Sequence, residues 1–338
     1  MKAAAINDMS GFGKCSLIAD ISVLTVMGIQ ACPVPTAILT AQTGFPSYYC
    51  EDMTRSIPHF TEEWDKKGER FDGILTGFLM NEGQADEVIR FVSRFHGDGT
   101  VLLVDPVMAD HGKTYANFSE PLLRKMKLLA AEADILTPNI SELCLLAGAD
   151  MKEVLELSGD MLYQRLGKLA QEIIAQEIIT QEIIEQGMSL HGADTEKANS
   201  PRNKDKKVIV TGIPIAQSQS RFSKGNGAGT PNEKSQKVMG NLVVDQAGAK
   251  LFKVRQAGGG FSGAGDLFAA VILGGVLKGK SVEASVELAE GFIYAAANAA
   301  YSQGIDRNEG TEYEPYLYML ADQADIFHNP VSAQASAG

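Results

Sequence analysis

Residues 258–275 read GGGFSGAGDLFAAVILGG. A glycine cluster runs into Ser262-Gly263-Ala264-Gly265-Asp266, and a small-residue apolar helix pattern follows at once. Glycine lets backbone amides approach a ligand closely. The first amides of a helix have no partner inside it and lie at the positive end of its dipole. Together they suit an anion, typically a phosphate. A carboxylate at such a cradle repels phosphate, so Asp266 makes chemical sense if it takes a proton from a hydroxyl attacking that phosphate. The stretch alone leaves a second reading open, a glycine-rich turn with Asp266 as a helix cap.

Working outward, the preceding segments 239–244 and 249–254 predict a hairpin around 245–248, leading straight into the glycine cluster. After it, 282–303 predicts a long buried helix and 314–323 a last amphipathic helix; the tail from 326 to 338 reads as disordered. Towards the N-terminus, short apolar runs alternate with helical patterns. Residues 2–6 read as a buried strand, 7–14 (NDMSGFGK) as a polar loop, and 16–27 as a helix with Leu17, Ile21, Leu24 and Met27 on one face. The loop is not a nucleotide P-loop, because Asp8 stands where that motif needs its first glycine and Cys15 where it needs Ser or Thr.

Residues 31–39 predict a strand at a sheet edge or an irregular one, because of Pro33 and Pro35. It ends in the polar cluster Thr40-Ala41-Gln42-Thr43-Gly44. A helical region spans 51–67, a strand plus loop 71–78, and a helix 84–95. The run 100–104 reads as a strand covered on both faces and ends in Asp105, with Asp110 and Tyr115 close behind. Next come a helix at 121–133 and a short strand at 134–136. Thr137-Pro138-Asn139 and Ser141-Glu142 open the following helix. A strand at 208–212 carries Thr211 and Gly212 at a polar tip. Each acid also has a local explanation: Asp105 as a turn cap, Glu142 as a dipole partner in a first helical turn. Alternating strands and helices predict an α/β fold, a mostly parallel central sheet with helices on both faces.

Two stretches interrupt this pattern. Residues 170–184 repeat AQEII, AQEII, TQEII. A five-residue step turns a helix by about 500°, so successive Ile pairs are offset by about 140° and form no single stripe. The repeat reads as an expansion of a helix that needs one copy. Residues 187–207 and 217–237 read as polar, flexible loops.

The chain has 338 residues, 45% of them hydrophobic, and a formal net charge of −12. This charge argues against nucleic-acid or anionic-membrane partners, so positive potential at a phosphate site must be local. Cys15, Cys32, Cys50 and Cys144 form no C-x-x-C pair, and the five histidines lack metal-ligand spacing. No secretory leader or membrane span is evident, so a reduced, cytoplasmic protein is expected.

Four polar segments following strands (TAQTG, DPVM, TPNxSE, VTG) and then GAGD form a specific combination in a specific order. The chain resembles the ribokinase-like superfamily of small-molecule kinases, and within it the vitamin B6 (pyridoxal/pyridoxamine) kinases, over nearly all of residues 1–320. FSGAGDLFAAVILGG is similar to the superfamily's glycine-rich signature, DPVMADHGKTY to a B6-kinase segment, and TPNISE to its metal and nucleotide segment. The resemblance implies a three-layer, ribokinase-like sandwich without a separate lid domain, in one kinase domain over about 1–325. It implies ATP-dependent phosphorylation of a hydroxymethyl group on a B6 vitamer. Asp266 would be the base, with the amides of Gly263, Ala264 and Gly265 around the phosphoryl. Asp105 and Glu142 would organise Mg²⁺, assisted by Asn139. Thr211, Gly212, Asp110 and Tyr115 would border ATP, and Thr43 and Gly44 the ring. A monovalent cation and a homodimer are also consistent with the resemblance. Asp8 stands where many B6 kinases have serine; it suits a ring N–H or amino group, and DMSGFGK with TAQT also resembles the hydroxymethylpyrimidine kinases. A non-catalytic binding protein on the same fold is the third alternative.

Overall fold

Alternating burial along the chain builds one sheet and two helical layers in the computed structural model, which describes residues 1–175, 206–215, 238–256, 258 and 260–321. In chain order the strands are β1 (Lys2–Ser10), β2 (Gln30–Leu39), β3 (Cys50–Asp52), β4 (Gly73–Thr76), β5 (Val101–Val104), β6 (Ala109–Asp110), β7 (Lys113–Thr114), β8 (Ile135–Leu136), β9 (Lys207–Ile215), β10 (Val238–Asp245) and β11 (Gly248–Arg255). The helices are α1 (Ser16–Val26), α2 (Ile57–Lys66), α3 (Glu82–Phe95), α4 (Glu120–Glu132), α5 (Ile140–Ala147), α6 (Met151–Glu156), α7 (Gly159–Ile174), α8 (Ala264–Leu277) and α9 (Val282–Ser302).

Among the described residues the main sheet runs β11-β10-β9-β8-β5-β4-β1-β2-β3. From β9 to β2 every pairing is parallel, while β3, β10 and β11 add antiparallel edges. Parallel neighbours need crossovers, which here are helices, and these cover both faces. One core packs the sheet against α2–α7, and the other packs it against α1, α8 and α9. The α/β sandwich expected from the sequence is therefore the observed fold.

Local chemistry explains the element ends. Asn81, Ser119 and Ser281 cap α3, α4 and α9 by accepting from backbone amides. Asn139 and Glu142 form a reciprocal capping box on α5.

Several expectations need correction. β1 continues through Asn7 and Asp8 to Ser10, because β2 pairs with it beyond a bulge. The prolines of β2 do lie on an open edge, since β3 covers only Ala37–Leu39. The predicted helical region from 51 begins instead as β3 and a 3₁₀ turn, Thr54–Ser56. β9 runs three residues past Gly212, so Thr211-Gly212 lies within a strand, at an irregularity opposite Gly240–Leu242. The Asp110 segment is a small hairpin, β6–β7. The last expected helix is a 3₁₀ segment, Glu314–Met319, entered through a proline. The first AQEII copy closes α7, with Ile173 and Ile174 buried; the other copies, most of the two polar loops and the tail lie outside the described residues.

Candidate active site

The carboxyl ends of the parallel strands gather the candidate residues, as the crossover topology requires. Gly263 starts α8 with φ +79°, and a Cβ there would sit 2.6 Å from the Lys14 carbonyl oxygen and 2.9 Å from the Cys15 Cα. Only glycine permits both that conformation and that approach. The loop pressing on it is itself left-handed at Lys14 (φ 49°) and Ser16 (φ 55°). Such backbone costs about 1–3 kcal/mol per residue and persists where surroundings fix it. Here it aims the Ser16 amide at Asp266 Oδ2, 2.9 Å away.

Asn7, within β1 where the pairing with β2 becomes irregular, completes the hold. Its Nδ2 donates to Asp266 Oδ1 at 3.0 Å and to Asp20 Oδ2 at 3.1 Å. Its Oδ1 accepts from the amides of Asp8 at 3.0 Å and Phe78 at 2.9 Å. Burial pushes the Asp266 carboxyl up to about 6, with the Ser16 bond opposing and the Asp8 charge adding. Asp20 is fully buried on α1, and its Oδ1 has no partner. Burial, then the Asp266 charge, raises it well above the usual carboxylate range.

Asp105 follows β5. Its Oδ1 accepts from Thr137 Oγ1 at 2.9 Å, and its Oδ2 lies 3.8 Å from where a Gly265 Cβ would be. The acid expected at a strand tip thus faces the start of α8. Burial, then the Asp266 charge, pushes it up to about 7.

Glu142 lies deeper. Its Oε2 accepts from the Asn139 amide at 2.9 Å and its Oε1 from the Met108 amide at 3.2 Å. Asn139 Oδ1 accepts from the Glu142 amide at 3.0 Å, and Asn139 Nδ2 donates to the Ala109 carbonyl at 2.7 Å. Both side chains therefore hold the loop after β5 against α5. Asn139 also bridges Thr211, whose amide donates to the Pro138 carbonyl at 2.9 Å. Gly212 meets Asn241 Oδ1 at 3.4 Å. The Tyr115 amide anchors to the Met108 carbonyl at 2.9 Å, and Gly112, beside Asp110, donates to Ser141 Oγ at 2.9 Å. These contacts bring Asp110, Tyr115, Asn139, Glu142, Thr211 and Gly212 around one corner, beside Asp105.

On the other flank, Asp8 is buried and accepts from Ser10 Oγ at 2.9 Å. Burial raises its carboxyl too. Thr43 and Gly44 are exposed on the loop after β2.

The oxygen donors suit a hard divalent cation in part. Asp105 presents an oxygen towards α8 and fits Mg²⁺; Glu142 already spends both oxygens on amides and fits an outer position. Among the described residues, no group of three His, Cys, Asp or Glu could hold a metal ion.

Asn7, Ser16, Asp20 and Thr137 were not singled out from the sequence. Asp20 carried a signal: an acid three residues after Leu17 falls on the apolar face of α1. Asn7 gave none, because its contacts come from α8 and α1.

Residues 13–179 match the profile of the phosphomethylpyrimidine kinase family. A search of curated protein sequences finds no match. Among solved structures, a Bacteroides thetaiotaomicron protein provisionally assigned as a phosphomethylpyrimidine kinase, crystallised with pyridoxal, is 27% identical at a TM-score of 0.73, covering 94% of this chain and 95% of its own. Pyridoxal kinase from Lactobacillus plantarum is 21% identical (TM-score 0.73, 97% and 99% covered). Pyridoxal kinase from Leishmania donovani, in complex with ADP and pyridoxamine, is 17% identical (TM-score 0.69, 94% and 95% covered). With its sheet order, its GAGD helix start and these likenesses, the protein is a phosphotransferase with an alcohol as acceptor, similar to the phosphomethylpyrimidine kinases and the pyridoxal kinases.

Proposed function

We propose that this protein transfers the γ-phosphoryl group of ATP to the hydroxymethyl group of a B6 vitamer (pyridoxal, pyridoxine or pyridoxamine), giving the 5′-phosphate used in cofactor salvage. The observation that carries this reading is Asp266, held by Asn7 and Ser16 at the start of α8 with Asp105 beside it. The hydroxyl oxygen attacks the γ-phosphorus as the bond to the β–γ bridging oxygen breaks, and Asp266 accepts the hydroxyl proton. A base near 6 is ionised at neutral pH and takes that proton late, as bonding to phosphorus begins. The amides of Gly263, Ala264 and Gly265 face charge on the moving phosphoryl group. Asp105 would hold Mg²⁺, which supplies charge neutralisation at the phosphates. Asn139, Glu142, Thr211 and Gly212, with Asp110 and Tyr115, form the nucleotide side, and Asp8, Thr43 and Gly44 the ring side. Crystallisation of the 27%-identical relative with pyridoxal supports the choice of acceptor.

The family match over residues 13–179 supports a second acceptor, hydroxymethylpyrimidine or its phosphate, and the Asp8 carboxylate suits an aminopyrimidine. A panel of the three vitamers and hydroxymethylpyrimidine with ATP and Mg²⁺ decides. A B6 vitamer is expected to turn over fastest; faster turnover of hydroxymethylpyrimidine overturns the first reading. Asp266→Asn is expected to lower kcat by about 10²–10⁴-fold, the range typical of a general base, while ATP still binds by calorimetry. Unchanged turnover removes Asp266 as the base.

A further inference from the structure

Away from the base network, the acceptor loop and the phosphoryl loop meet at one side chain, Gln42. Its Nε2 donates to Ser262 Oγ at 3.2 Å and to the Asn308 carbonyl at 3.1 Å, and lies 3.4 Å from Asn308 Oδ1. Its Oε1 accepts from the Gly44 amide at 2.7 Å. Its own amide donates to the Phe12 carbonyl at 3.0 Å. One residue thus ties residues 12, 44, 262 and 308 together.

The far jaw is the 3₁₀ turn Arg307–Glu309, capped by Asp306, whose Oδ1 accepts from the Asn308 amide at 2.8 Å. The Arg307 carbonyl accepts from the Ser262 amide at 3.0 Å. Glycines make the approach possible. A Cβ would lie 2.4 Å from Gln42 Cγ if built on Gly13, 2.5 Å from Asn308 Oδ1 on Gly44, and 2.3 Å from the Gly13 carbonyl oxygen on Gly310. The site needs an amide: donors towards Ser262 and Asn308, an acceptor towards Gly44. A carboxylate lacks the donors and an apolar group lacks both.

We propose that Gln42 is a positioning residue that locks the acceptor loop to the phosphoryl cradle, with the Arg307–Glu309 turn as the clasp that closes over it. The proposal rests on the roles given above to residues 43–44 and 263–265. Ser262 directly precedes that cradle, so a slack clasp lets ring and phosphoryl drift apart. A misplacement near 1 Å costs about 10²-fold in rate.

The test uses the full chain with ATP, Mg²⁺ and the best acceptor from the panel. Gln42→Ala is expected to lower kcat by about 10–100-fold, with little change in KM for ATP. Ser262→Ala is expected to lose part of that, Ser262→Thr to restore it by keeping the hydroxyl, and the double Ala variant to be no worse than Gln42→Ala alone. A rise in KM for the acceptor with kcat unchanged overturns the proposal, making Gln42 a ligand contact; so do additive losses in the double variant. Amide hydrogen exchange without substrates is a second readout. Protection at Ser262 is expected to fall in Gln42→Ala, and unaltered protection overturns the clasp. A wild-type protein that phosphorylates no acceptor defeats the function proposed above, while the exchange measurement still decides the clasp.

Discussion

On the face covered by α2–α7, Phe71, Phe91 and Phe95 interlock with Trp64; Phe91 lies 4.7 Å from Phe95 and 5.9 Å from Trp64 between ring centroids. On the face covered by α1, α8 and α9, Ala3, Ala19, Ala269, Ala270, Ala289 and Ala296 pack among larger side chains such as Phe268 and Phe292, and Gly274 and Gly275 allow close approach at α8. A Cβ on Gly275 would stand 2.3 Å from Ser285 Oγ, so α8 and α9 nearly touch. Large rings fill volume and tolerate small shifts. Small residues let backbones approach and fix them there. The small-residue face carries Asp266, because α8 must be placed closely enough for Asn7 and Ser16 to reach its first turn.

Two substitutions break this comparison if it is wrong. Phe91→Ala is expected to cost about 3–5 kcal/mol in urea unfolding, yet leave turnover per folded molecule unchanged. Gly275→Val is expected to cost about 1–3 kcal/mol by overpacking, and to depress kcat as well, because α8 moves as a rod with Asp266 at its far end. Equal effects of the two variants on kcat would show that both faces position the base.

The same contrast explains what could be read from the sequence. Val101–Val104 was legible as a strand because burial on both faces leaves a continuous apolar run. Asp105, Asn139 and Glu142 were legible because polar residues directly after such runs sit at the carboxyl ends of parallel strands. Asn7 was not: it follows an apolar run like any loop residue, and only the partner strand β2 extends β1 through it. The reach of β9 past Gly212 depends likewise on β10 pairing across the sheet. Gln42 stood within a polar cluster already read as a site, but its role needs a turn some 265 positions away.

A second prediction sharpens the electrostatics of the small-residue face. Asp266 near 6 and Asp105 near 7 are both raised by burial, and the proposed phosphoryl transfer uses both in their ionised form. Raised carboxyls hold their protons to higher pH, so activity is present above these values and lost as pH falls. The acid limb of kcat/KM is therefore expected between about 6 and 7, with a slope of one to two decades per unit. A limb near 4 would mean that neither carboxyl feels its burial.

The smallest expected effect concerns Asp20, which sits below the base and touches Asn7. Its unpartnered Oδ1 and its lowered acidity, caused by burial and then by the Asp266 charge, favour the protonated carboxyl over the charged one. Unfolded, the same group ionises near 4. Between that value and its raised folded value, the folded state binds the extra proton. Stability from this group is therefore fully present below about pH 4 and declines as pH rises, by about 1.4 kcal/mol per unit. Asp20→Asn keeps the shape and the acceptor for Asn7 but has no proton to take up. Its stability relative to wild type is expected to rise between pH 4 and pH 7, offset in part by a second buried N–H. Urea unfolding of both proteins at pH 4, 5, 6 and 7 measures the difference. A flat difference would mean that Asp20 is charged in the fold, and Asn7 would then bridge two carboxylates rather than one carboxylate and one acid.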